Sequence, residues 1–458
     1  MTQTRQLFGT DGIRGVAGEF PLTHESTYLI GRALGHDLIR GNPKARVVIG
    51  QDTRESSRWI ADRVWQGLEA VGVEVRSGGV ITTPGVAYLA RSQSFDAGVV
   101  ISASHNPWTD NGIKVFSGDG YKLPDAHEFA IEKEIFALLQ GSSVSVPDGA
   151  TAGSSLPGDA ALRQAYVRWL ASKVKTDLSR LRVAVDCANG AAAEEAPELF
   201  RALRIQAEFL HASPDGRNIN EQCGALHPET LAKQVAGCKG RFDLGVTFDG
   251  DADRALFTDR EGRVINGDAV LLIAARDMLS REMLKNATVV ATTMSNMGLE
   301  LALKRSGIEM LRANVGDKYV LEEMQRVGAT LGGEQSGHIL FRDGDATTGD
   351  GLLTALRVME IMVLTGRPLA ELAKDLKVFP QVIRNVRVRE KIPFDRIPEV
   401  SKAIKVAQHE LDGNGRVVVR YSGTETLARV MVEAESREQI DRLAESIVTA
   451  IRNSLAAV

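Results

Sequence analysis

The chain has 458 residues, of which 43% are hydrophobic and 25% are charged, and its formal net charge at pH 7 is −4. This composition is typical of a water-soluble globular protein, and so small a charge does not favour nucleic acid or an anionic membrane as a partner. The length exceeds what one hydrophobic core usually supports, so it predicts about three domains.

The beginning of the chain and the cysteines predict a cytoplasmic protein. The opening MTQTRQLFGTDG has no apolar segment like that of a signal peptide, and the longest uncharged apolar run, 270–275, is too short to span a membrane. Cys187, Cys223 and Cys238 are odd in number and widely spaced, without a CxxC pair. Such a pattern favours reduced thiols over a disulfide framework.

A pattern of strand, loop, helix and strand occurs three times along the chain. The copies begin with RVVIG at 46–50, RVAVD at 182–186 and TVVAT at 288–292, and each continues through a helical stretch to a second β-branched run. Parallel strands joined by a helix form right-handed βαβ units. The sequence therefore predicts three similar α/β domains with mixed sheets.

Two changes in composition divide the chain further. The segment 141–159 is rich in Gly, Ser and Pro and predicts a surface loop, and the pattern changes again between Gly366 and Pro380. Beyond that point, strand-like runs and an amphipathic helix at about 437–454 predict a smaller C-terminal α+β domain. The predicted domain limits are 1–155, 156–258, 259–372 and 373–458.

The loop GVTFDGDADRALF, which follows an apolar strand, predicts a metal site. Asp249, Asp251 and Asp253 alternate in it, and carboxylates this close repel one another unless a cation lies between them. Carboxylate oxygens are hard ligands, so the expected ion is Mg²⁺ or Ca²⁺. A solvated acidic turn is the alternative; the strand context and the adjacent Arg254 favour the metal site.

The hairpin VVVRYSGTETLARVMVE has groups suited to phosphate. Ser422, Gly423 and Thr424 offer backbone N–H groups and hydroxyls at a tight turn, and Arg420 and Arg429 flank it. Backbone nests and arginine forks bind phosphate well. A Ser-Gly-Thr turn is also common without a ligand, so the hairpin alone leaves both interpretations open.

Two glycine-rich loops present further polar side chains. In GGEQSGH, Glu334 and Ser336 lie among glycines that allow close approach to a ligand, and a carboxylate can accept hydrogen bonds from neighbouring sugar hydroxyls. His338 suits proton transfer, with a structural histidine as the alternative. LFGTDGIRG presents Arg14, for which an ordinary surface arginine is the alternative.

The stretch VVISASHNPWTDNG places two serines and a histidine directly after an apolar strand. It is not a GxSxG elbow, and adjacent side chains on an extended chain point to opposite faces, so His105 is a poor base for Ser104. A serine near a metal can instead carry a phosphoryl group, with Lys114 as a further cation. In isolation the stretch also fits a turn capped by Ser102 and Ser104.

The loops FGTDGIRG, SASHNP, DGDADR, GEQSGH and RYSGTET, in this order and spacing, resemble the α-D-phosphohexomutase superfamily over nearly the whole chain. The stretches NINEQCGALHPE, VGDKYVLEEM and TTGDGLLTAL are most similar to the bacterial phosphoglucosamine mutases within it. The resemblance implies four domains around a central cleft. It also implies interconversion of glucosamine 6-phosphate and glucosamine 1-phosphate through a phosphoserine and a 1,6-bisphosphate, a step towards UDP-GlcNAc and cell-wall precursors.

The resemblance implies a role for each residue that matches a family motif. The implied ligands of one Mg²⁺ per chain are Ser104 (phosphorylated), Asp249, Asp251 and Asp253. The residues implied in phosphoryl and proton transfer are Ser104, Arg14, Lys114 and His338. The residues implied in holding the substrate are Glu334, Ser336, Arg420, Ser422, Gly423, Thr424 and Arg429.

Three positions depart from the family pattern, one of which, Lys318, keeps the positive charge that arginine usually supplies. Ala252 replaces a glycine in the DGDGDR motif and therefore needs either a negative φ or mild strain, and Thr426 replaces a proline after the phosphate turn. None of these changes removes an implied ligand.

For partners and cofactors, the resemblance implies a small-molecule sugar phosphate and a sugar 1,6-bisphosphate activator, and it allows a homodimer. Three alternatives remain at this point. The chain could be a phosphomannomutase/phosphoglucomutase of the same superfamily, a metal-dependent phosphatase that uses the aspartates, or a sugar-phosphate-binding protein without activity.

Overall fold

The computed structural model describes residues 6–9, 11–141, 156–342, 346–421 and 426–455. They form two compact units. The first unit comprises the described residues up to Met294 together with 307–374, and the second comprises 295–306 together with the described residues from Asp375 onward.

The described residues up to Gly141 form a six-stranded sheet with helices. The elements are β1 (Phe8–Gly9), β2 (Gly12–Val16), α1 (His24–Gly41), β3 (Arg46–Gln51), α2 (Glu55–Glu69), β4 (Glu74–Val80), α3 (Thr83–Ser92), β5 (Ala97–Ile101), β6 (Asp110–Ser117) and α4 (Asp125–Gln140). The strand order is β1-β2-β6-β5-β3-β4, with β3, β4 and β5 parallel. Every residue of β5 is buried, as its uninterrupted apolar run predicts for a central strand.

The next part of the chain repeats this architecture with five strands. The elements are α5 (Ala160–Ser172), β7 (Arg182–Asp186), α6 (Ala192–Ala202), β8 (Gln206–Leu210), α7 (Pro228–Gly237), β9 (Leu244–Phe248), β10 (Ala255–Asp259) and β11 (Val264–Ile265). The strand order is β11-β10-β9-β7-β8, and β7 is parallel to both β8 and β9. The buried strand β9 ends directly before the three aspartates.

The third sheet has four strands in the order β13-β12-β14-β15. The elements of this part of the chain are α8 (Gly267–Ser280), β12 (Thr288–Thr292), α9 (Met297–Arg305), β13 (Glu309–Ala313), α10 (Asp317–Val327), β14 (Leu331–Gly333), β15 (Ile339–Phe341), α11 (Gly351–Thr365) and α12 (Leu369–Ala373). Strand β12 is parallel to β13 and to β14. The GEQSGH motif forms the end of β14 and the turn into β15.

The C-terminal part has an antiparallel sheet in the order β16-β18-β17. Its elements are β16 (Gln381–Arg387), α13 (Pro398–Leu411), β17 (Gly415–Tyr421), β18 (Leu427–Ala434) and α14 (Arg437–Leu455). The core of this sheet lies against α13 and α14, and apolar residues such as Val430, Val432, Ile440 and Ile447 form its centre.

Helix α13 is the main difference from the sequence expectation, which included one closing helix only. Its buried positions are Val400, Ala407 and Leu411, and Ala403 and Ile404 pack against the same core. This spacing is that of an amphipathic helix, so the sequence does encode α13 and the expectation overlooked it.

The predicted α/β class is confirmed, because each of the three sheets contains the expected parallel pair joined by a helix along the chain. The four predicted domain limits stay a prediction. All three cysteines are free of disulfides, as their spacing predicts. Among the described residues, none of the helices combines the length and the apolar character that a bilayer crossing requires.

Candidate active site

A buried ion pair holds the serine loop (residues 102–109), which joins β5 to β6. The side chains of Asp52 and Arg54, just after β3, are fully buried and lie 2.8 Å apart. The Arg54 guanidinium also donates hydrogen bonds of 2.9 Å to the carbonyl oxygens of Ser104 and Asn106. Because the guanidinium is planar and rigid, one side chain fixes several backbone groups of the loop.

Ser104 has a backbone conformation that is unusual for serine. Its φ is 54°, in the left-handed region, and the residue is 1% exposed. Its Oγ donates a 2.6 Å hydrogen bond to Asp249, and Nδ1 of His105 lies 3.4 Å from the same hydroxyl. Burial and the charges of Arg254 and Arg14 lower the pKa of His105 to about 4. His105 is therefore a weak base. The reason that the sequence suggested, side chains on opposite faces, is wrong, because the left-handed backbone at Ser104 brings the two side chains together.

The aspartate loop, between β9 and β10, lies against the serine loop. Asp249, Asp251 and Asp253 are buried, and one carboxylate oxygen from each lies within 4.8 Å of the others. Gly250 permits this contact, because a Cβ there would lie 2.5 Å from the carbonyl oxygen of Ser104. The predicted metal ligands and the predicted phosphoserine are therefore adjacent.

Ala252, which replaces a family glycine, is fully buried and has a φ of 54°. Of the two alternatives that the sequence allowed, the structure has the strained one. The left-handed conformation costs an L-residue with a Cβ roughly 1–2 kcal/mol.

The aspartate loop carries negative charge that its protein neighbours balance only in part. Burial, and then the charges of Asp253 and Asp251, raise the pKa of Asp249. Burial also acts to raise the pKa of Asp253, but Lys114 and His338 outweigh it and lower that pKa. The buried Oδ1 atoms of Asp251 and Asp253 accept no hydrogen bond from the described residues. A cluster of hard oxygens with free lone pairs fits a divalent cation such as Mg²⁺.

Five charged side chains of alternating sign, the charge chain, lead away from this loop: Asp251, Lys114, Asp11, Lys122 and Asp317. Lys114 Nζ lies 2.8 Å from Asp251 and 3.0 Å from Asp11, and Lys122 Nζ lies 2.6 Å from both Asp11 and Asp317. Burial acts to lower the pKa of Lys114, but Asp11 and Asp251 outweigh it and raise that pKa. Lys114 therefore stays charged.

Beside the charge chain is a cavity of about 420 Å³, a volume within the range of small-molecule sites. The residues that line it include Asp11, Arg14, His105, Arg254, Asp317, Glu334 and His338. Glu334 is fixed at both oxygens, because Oε1 accepts the N–H of Gly316 at 3.0 Å and Oε2 accepts the hydroxyl of Ser336 at 3.3 Å. Glu334 thus presents an ordered carboxylate at the cavity.

His338 is buried between two carboxylates of the cavity. Its Nδ1 lies 3.6 Å from Asp253 and its Nε2 lies 3.8 Å from Asp317. Burial acts to lower its pKa, but Asp253 and Asp317 outweigh it and raise the pKa to about 9. The Gly349 N–H donates to Nε2 at 3.2 Å, which requires an unprotonated nitrogen. Because this hydrogen bond needs a lone pair on Nε2, we assign the neutral ring in the resting site, with its proton on Nδ1 facing Asp253.

The structure brings most of the predicted site residues together in the first unit: Arg14, Ser104, Lys114, Asp249, Asp251, Asp253, Glu334, Ser336 and His338. Two predicted phosphate ligands, Arg420 and Arg429, lie in the second unit. Ser422, Gly423 and Thr424 lie outside the described residues. The roles of all these residues stay predictions.

Arg420 and Arg429 are direct register partners on β17 and β18. Side chains of such partners leave the same face of an antiparallel sheet, about 5 Å apart at Cβ, and like charges there are destabilising. An anion at this face would relieve that repulsion. The pairing therefore suits the phosphate site that the hairpin motif predicts.

Sequence analysis missed Arg54, Asp11, Lys122 and Asp317 as parts of the site. Arg54 follows the apolar strand β3, so the rule that selected the other loops could have found it. Asp11 lies within FGTDGIRG, and Asp317, the first residue of α10, lies within VGDKYVLEEM, so both belong to motifs that carry the family resemblance. Only the contacts of Lys122 in the folded chain distinguish it from a surface charge.

Models of the four domains of the phosphoglucomutase/phosphomannomutase family match this chain. Alpha/beta/alpha domains I, II and III match residues 5–141, 164–262 and 266–379, and the C-terminal domain matches residues 384–450. The chain is 62% identical to the phosphoglucosamine mutase of Koribacter versatilis over 98% of this chain and 97% of that protein. It is 51% identical to the phosphoglucosamine mutase of Solibacter usitatus over 98% and 99%.

Solved structures share the fold over the full length. A phosphoglucomutase/phosphomannomutase family protein from Burkholderia thailandensis is 25% identical, with a TM-score of 0.78 over 98% of this chain and 99% of that one. The N-acetylphosphoglucosamine mutase of Aspergillus fumigatus, solved with GlcNAc-6P and magnesium, is 20% identical, with a TM-score of 0.64 over 98% and 96%. The chain belongs to the phosphoglucomutase/phosphomannomutase family and, within it, to the phosphoglucosamine mutases.

Proposed function

We propose that this chain interconverts glucosamine 6-phosphate and glucosamine 1-phosphate, with Ser104 as the phosphoryl carrier and glucosamine 1,6-bisphosphate as the intermediate. The observation that carries the proposal is the 2.6 Å hydrogen bond from the Ser104 hydroxyl into the buried aspartate cluster. The bacterial relatives that are 62% and 51% identical are phosphoglucosamine mutases, which supports glucosamine as the sugar. The product would feed UDP-GlcNAc and cell-wall precursor synthesis.

Asp249, Asp251 and Asp253 would hold one Mg²⁺ together with an oxygen of phosphorylated Ser104. The free lone pairs on Asp251 and Asp253 support this, as does the magnesium in the Aspergillus fumigatus enzyme. When bound, the ion supplies neutralisation of the charge on the transferring phosphoryl group.

The first half-reaction moves the phosphoryl group from Ser104 to the sugar. A bond forms between the sugar O1 and phosphorus while the bond from phosphorus to Ser104 Oγ breaks. Lys114 and Arg14 stabilise the negative charge on the group in transfer. Over this half-reaction the O1 proton ends on Ser104 Oγ. We assign its transfer to His338, whose Nε2 would exchange the Gly349 N–H for the proton and whose carboxylate neighbours favour the protonated ring. The pKa of His105 is lowered to about 4, so His105 is the weaker base.

The second half-reaction requires the bisphosphate to present its other phosphate to Ser104. A bond forms between Ser104 Oγ and phosphorus while the bond from phosphorus to O6 breaks, and the Oγ proton passes to O6. This leaves glucosamine 1-phosphate and regenerates the phosphoenzyme. One sugar site and one phosphate site must therefore serve both orientations of the sugar. Glu334 suits the first because its carboxylate is fixed at the cavity, and the register pair Arg420 and Arg429 suits the second.

The substrate is tested by comparing kcat/KM for glucosamine, glucose and mannose phosphates, with glucose 1,6-bisphosphate added as the activator. The highest value for glucosamine phosphate supports the proposal. Preference for glucose or mannose would make the chain a phosphoglucomutase/phosphomannomutase. Steady release of inorganic phosphate would indicate a phosphatase, and binding without turnover would indicate a sugar-phosphate-binding protein.

The phosphoryl carrier is tested by intact mass and peptide mapping of the purified protein. A phosphorylated fraction that disappears in Ser104→Ala, together with all mutase turnover, is the expected result. Phosphate mapped to Ser102, or full activity of Ser104→Ala, would contradict the choice of Ser104. Ser102 is the informative comparison, because its hydroxyl donates to Asp52 and accepts the Ser104 N–H.

Two further features stay proposals. The three cysteines without disulfides support a cytoplasmic location, where thiols are kept reduced. A homodimer rests on the family resemblance, and light scattering of the purified chain tests it.

A further inference from the structure

Two members of the charge chain, Asp11 and Asp317, line the 420 Å³ cavity. Lys122 lies between these two and does not line that cavity itself. It lies in the turn between β6 and α4, where its backbone forms a bridge with Phe116. Its ammonium group lies 2.6 Å from both Asp11 and Asp317 and is only 18% exposed. An ammonium group fixed between two carboxylates acts through them rather than on a ligand.

Each of the two carboxylates belongs to a different side of the cavity. Asp11 lies in the turn between β1 and β2, where it also pairs with Arg14 and with Lys114. That side of the cavity adjoins the aspartate loop, because Lys114 also reaches Asp251. Lys122 is therefore linked, through Asp11, to the cations expected to stabilise the transferring group.

Asp317 belongs to the side of the cavity that holds the sugar. It is the first residue of α10 and directly follows Gly316, whose N–H holds the carboxylate of Glu334 at 3.0 Å. Asp317 also lies 3.8 Å from His338. Moving Asp317 would therefore move the backbone group that orients Glu334.

Without the ammonium group of Lys122, Asp11 and Asp317 would face each other as like charges with little solvent to screen them, since they are 22% and 19% exposed. Their repulsion would widen the cavity on this side. It would also make the electrostatic potential in the cavity more negative, which disfavours binding of a sugar phosphate dianion. The serine loop has a separate anchor in Arg54, so the position of Ser104 does not depend on Lys122.

We propose that Lys122 is a positioning residue for the substrate: by bridging Asp11 and Asp317 it fixes the distance between the phosphoryl-transfer side of the cavity and the Glu334 side. This inference rests on the proposed mutase activity, and it adds a residue that acts on binding rather than on the transfer step.

The test is Lys122→Met, which keeps the length of the side chain and removes its charge. We expect the KM for glucosamine 6-phosphate to rise about tenfold while kcat changes less than about threefold, and the calorimetric Kd to weaken in parallel. Lys122→Arg keeps the charge and can bridge two carboxylates, so it should restore KM to within about threefold of the wild type. Lys133→Met, which removes an exposed charge from α4, is the matched control and should change neither parameter.

Three results would overturn the inference: wild-type KM and Kd in Lys122→Met, a Lys122→Arg variant as impaired as Lys122→Met, or a loss confined to kcat. A wild-type protein that neither binds nor isomerises sugar phosphates would reject the proposed function and this inference with it. A wild type that isomerises glucosamine 6-phosphate, alongside an unaffected Lys122→Met, would reject the inference only. If Lys122→Met folds poorly, Lys122→Gln, which also removes the charge but keeps a hydrogen-bond donor, takes its place with the same expected rise in KM.

Discussion

The charges around Ser104 and those of the C-terminal sheet are arranged in opposite ways. In the first region several buried charges contact one of opposite sign, as Arg54 does with Asp52 and Lys114 with Asp251. In the second region Arg420 and Arg429 are adjacent on the same face of the sheet. The first region is thus ordered largely by ion pairs within the protein, whereas the second brings two like charges together, as the proposed phosphate site would require.

This difference fits two tasks that need different degrees of preorganisation. Phosphoryl transfer depends on exact placement of the carrier and its cations, so fixed and buried partners suit it. A phosphate that is only held, and that must be released when the sugar turns over, suits two neighbouring positive charges on one face of a sheet. The predictions below separate the two regions, in order of decreasing effect.

Removal of the metal should have the largest effect. Exhaustive treatment with EDTA, or the substitution Asp251→Asn, should lower kcat by about a thousandfold or more, because the aspartate loop would then repel the phosphoryl group. Added Mg²⁺ should restore the EDTA-treated enzyme but not the variant. Glu261→Gln, which removes an exposed carboxylate from the next turn, is the control. Unchanged turnover after chelation would exclude a catalytic metal here.

Loss of Arg54 should disturb both activity and stability. Arg54→Met leaves Asp52 buried without its cation and frees the backbone of the serine loop, so we expect a loss of about 3–5 kcal/mol in the free energy of unfolding. We also expect kcat to fall by at least about tenfold, because Ser104 would no longer be held. Urea unfolding and steady-state kinetics measure these effects. Arg58→Met, an exposed position on α2, should behave like the wild type; equal stability of the Arg54 and Arg58 variants would contradict the role of the ion pair.

Loss of Arg420 should affect binding without reducing stability. Arg420→Met removes one of two like charges in register, so we expect KM to rise about tenfold while the free energy of unfolding is unchanged or increases by a few tenths of a kcal/mol. Lys405→Met, which removes an exposed charge from α13, is the control for net charge. A drop in kcat at constant KM would place Arg420 in the transfer step rather than in phosphate binding.

The smallest effect is expected at Ala252. Glycine would relieve a left-handed conformation that costs roughly 1–2 kcal/mol, but it gives up a buried methyl group worth about 0.8 kcal/mol and adds freedom to the unfolded chain. Ala252→Gly should therefore change the free energy of unfolding by less than about 1 kcal/mol and leave Mg²⁺ binding intact. Ala252→Val, whose branched side chain does not suit this φ, should weaken both. A large loss in the glycine variant would show that the alanine is needed to hold the aspartates.

The sequence predicts those features that depend on residues close together along the chain. The three βαβ units follow from apolar runs of about five residues, and the aspartate and serine loops stand out because polar residues follow such runs directly. The role of Lys122 could not be predicted, since its partners Asp11 and Asp317 are 111 and 195 residues away along the chain. Helix α13, by contrast, is encoded locally, because Val400, Ile404, Ala407 and Leu411 recur at helical spacing, and the expectation of one closing helix was wrong. The conformation of Ala252 was left between two alternatives, because close packing against neighbouring backbone decides its φ.

The contact between Ser104 and Asp249 also has a consequence for biosynthesis. The two residues are 145 positions apart, so during translation the serine loop leaves the ribosome well before its carboxylate partner exists. At typical elongation rates the delay is about 10–30 s. In that interval the first sheet can form, but Ser104 has neither the aspartates nor their metal beside it. A phosphorylation of Ser104 that needs the metal would therefore occur only after the second sheet has folded.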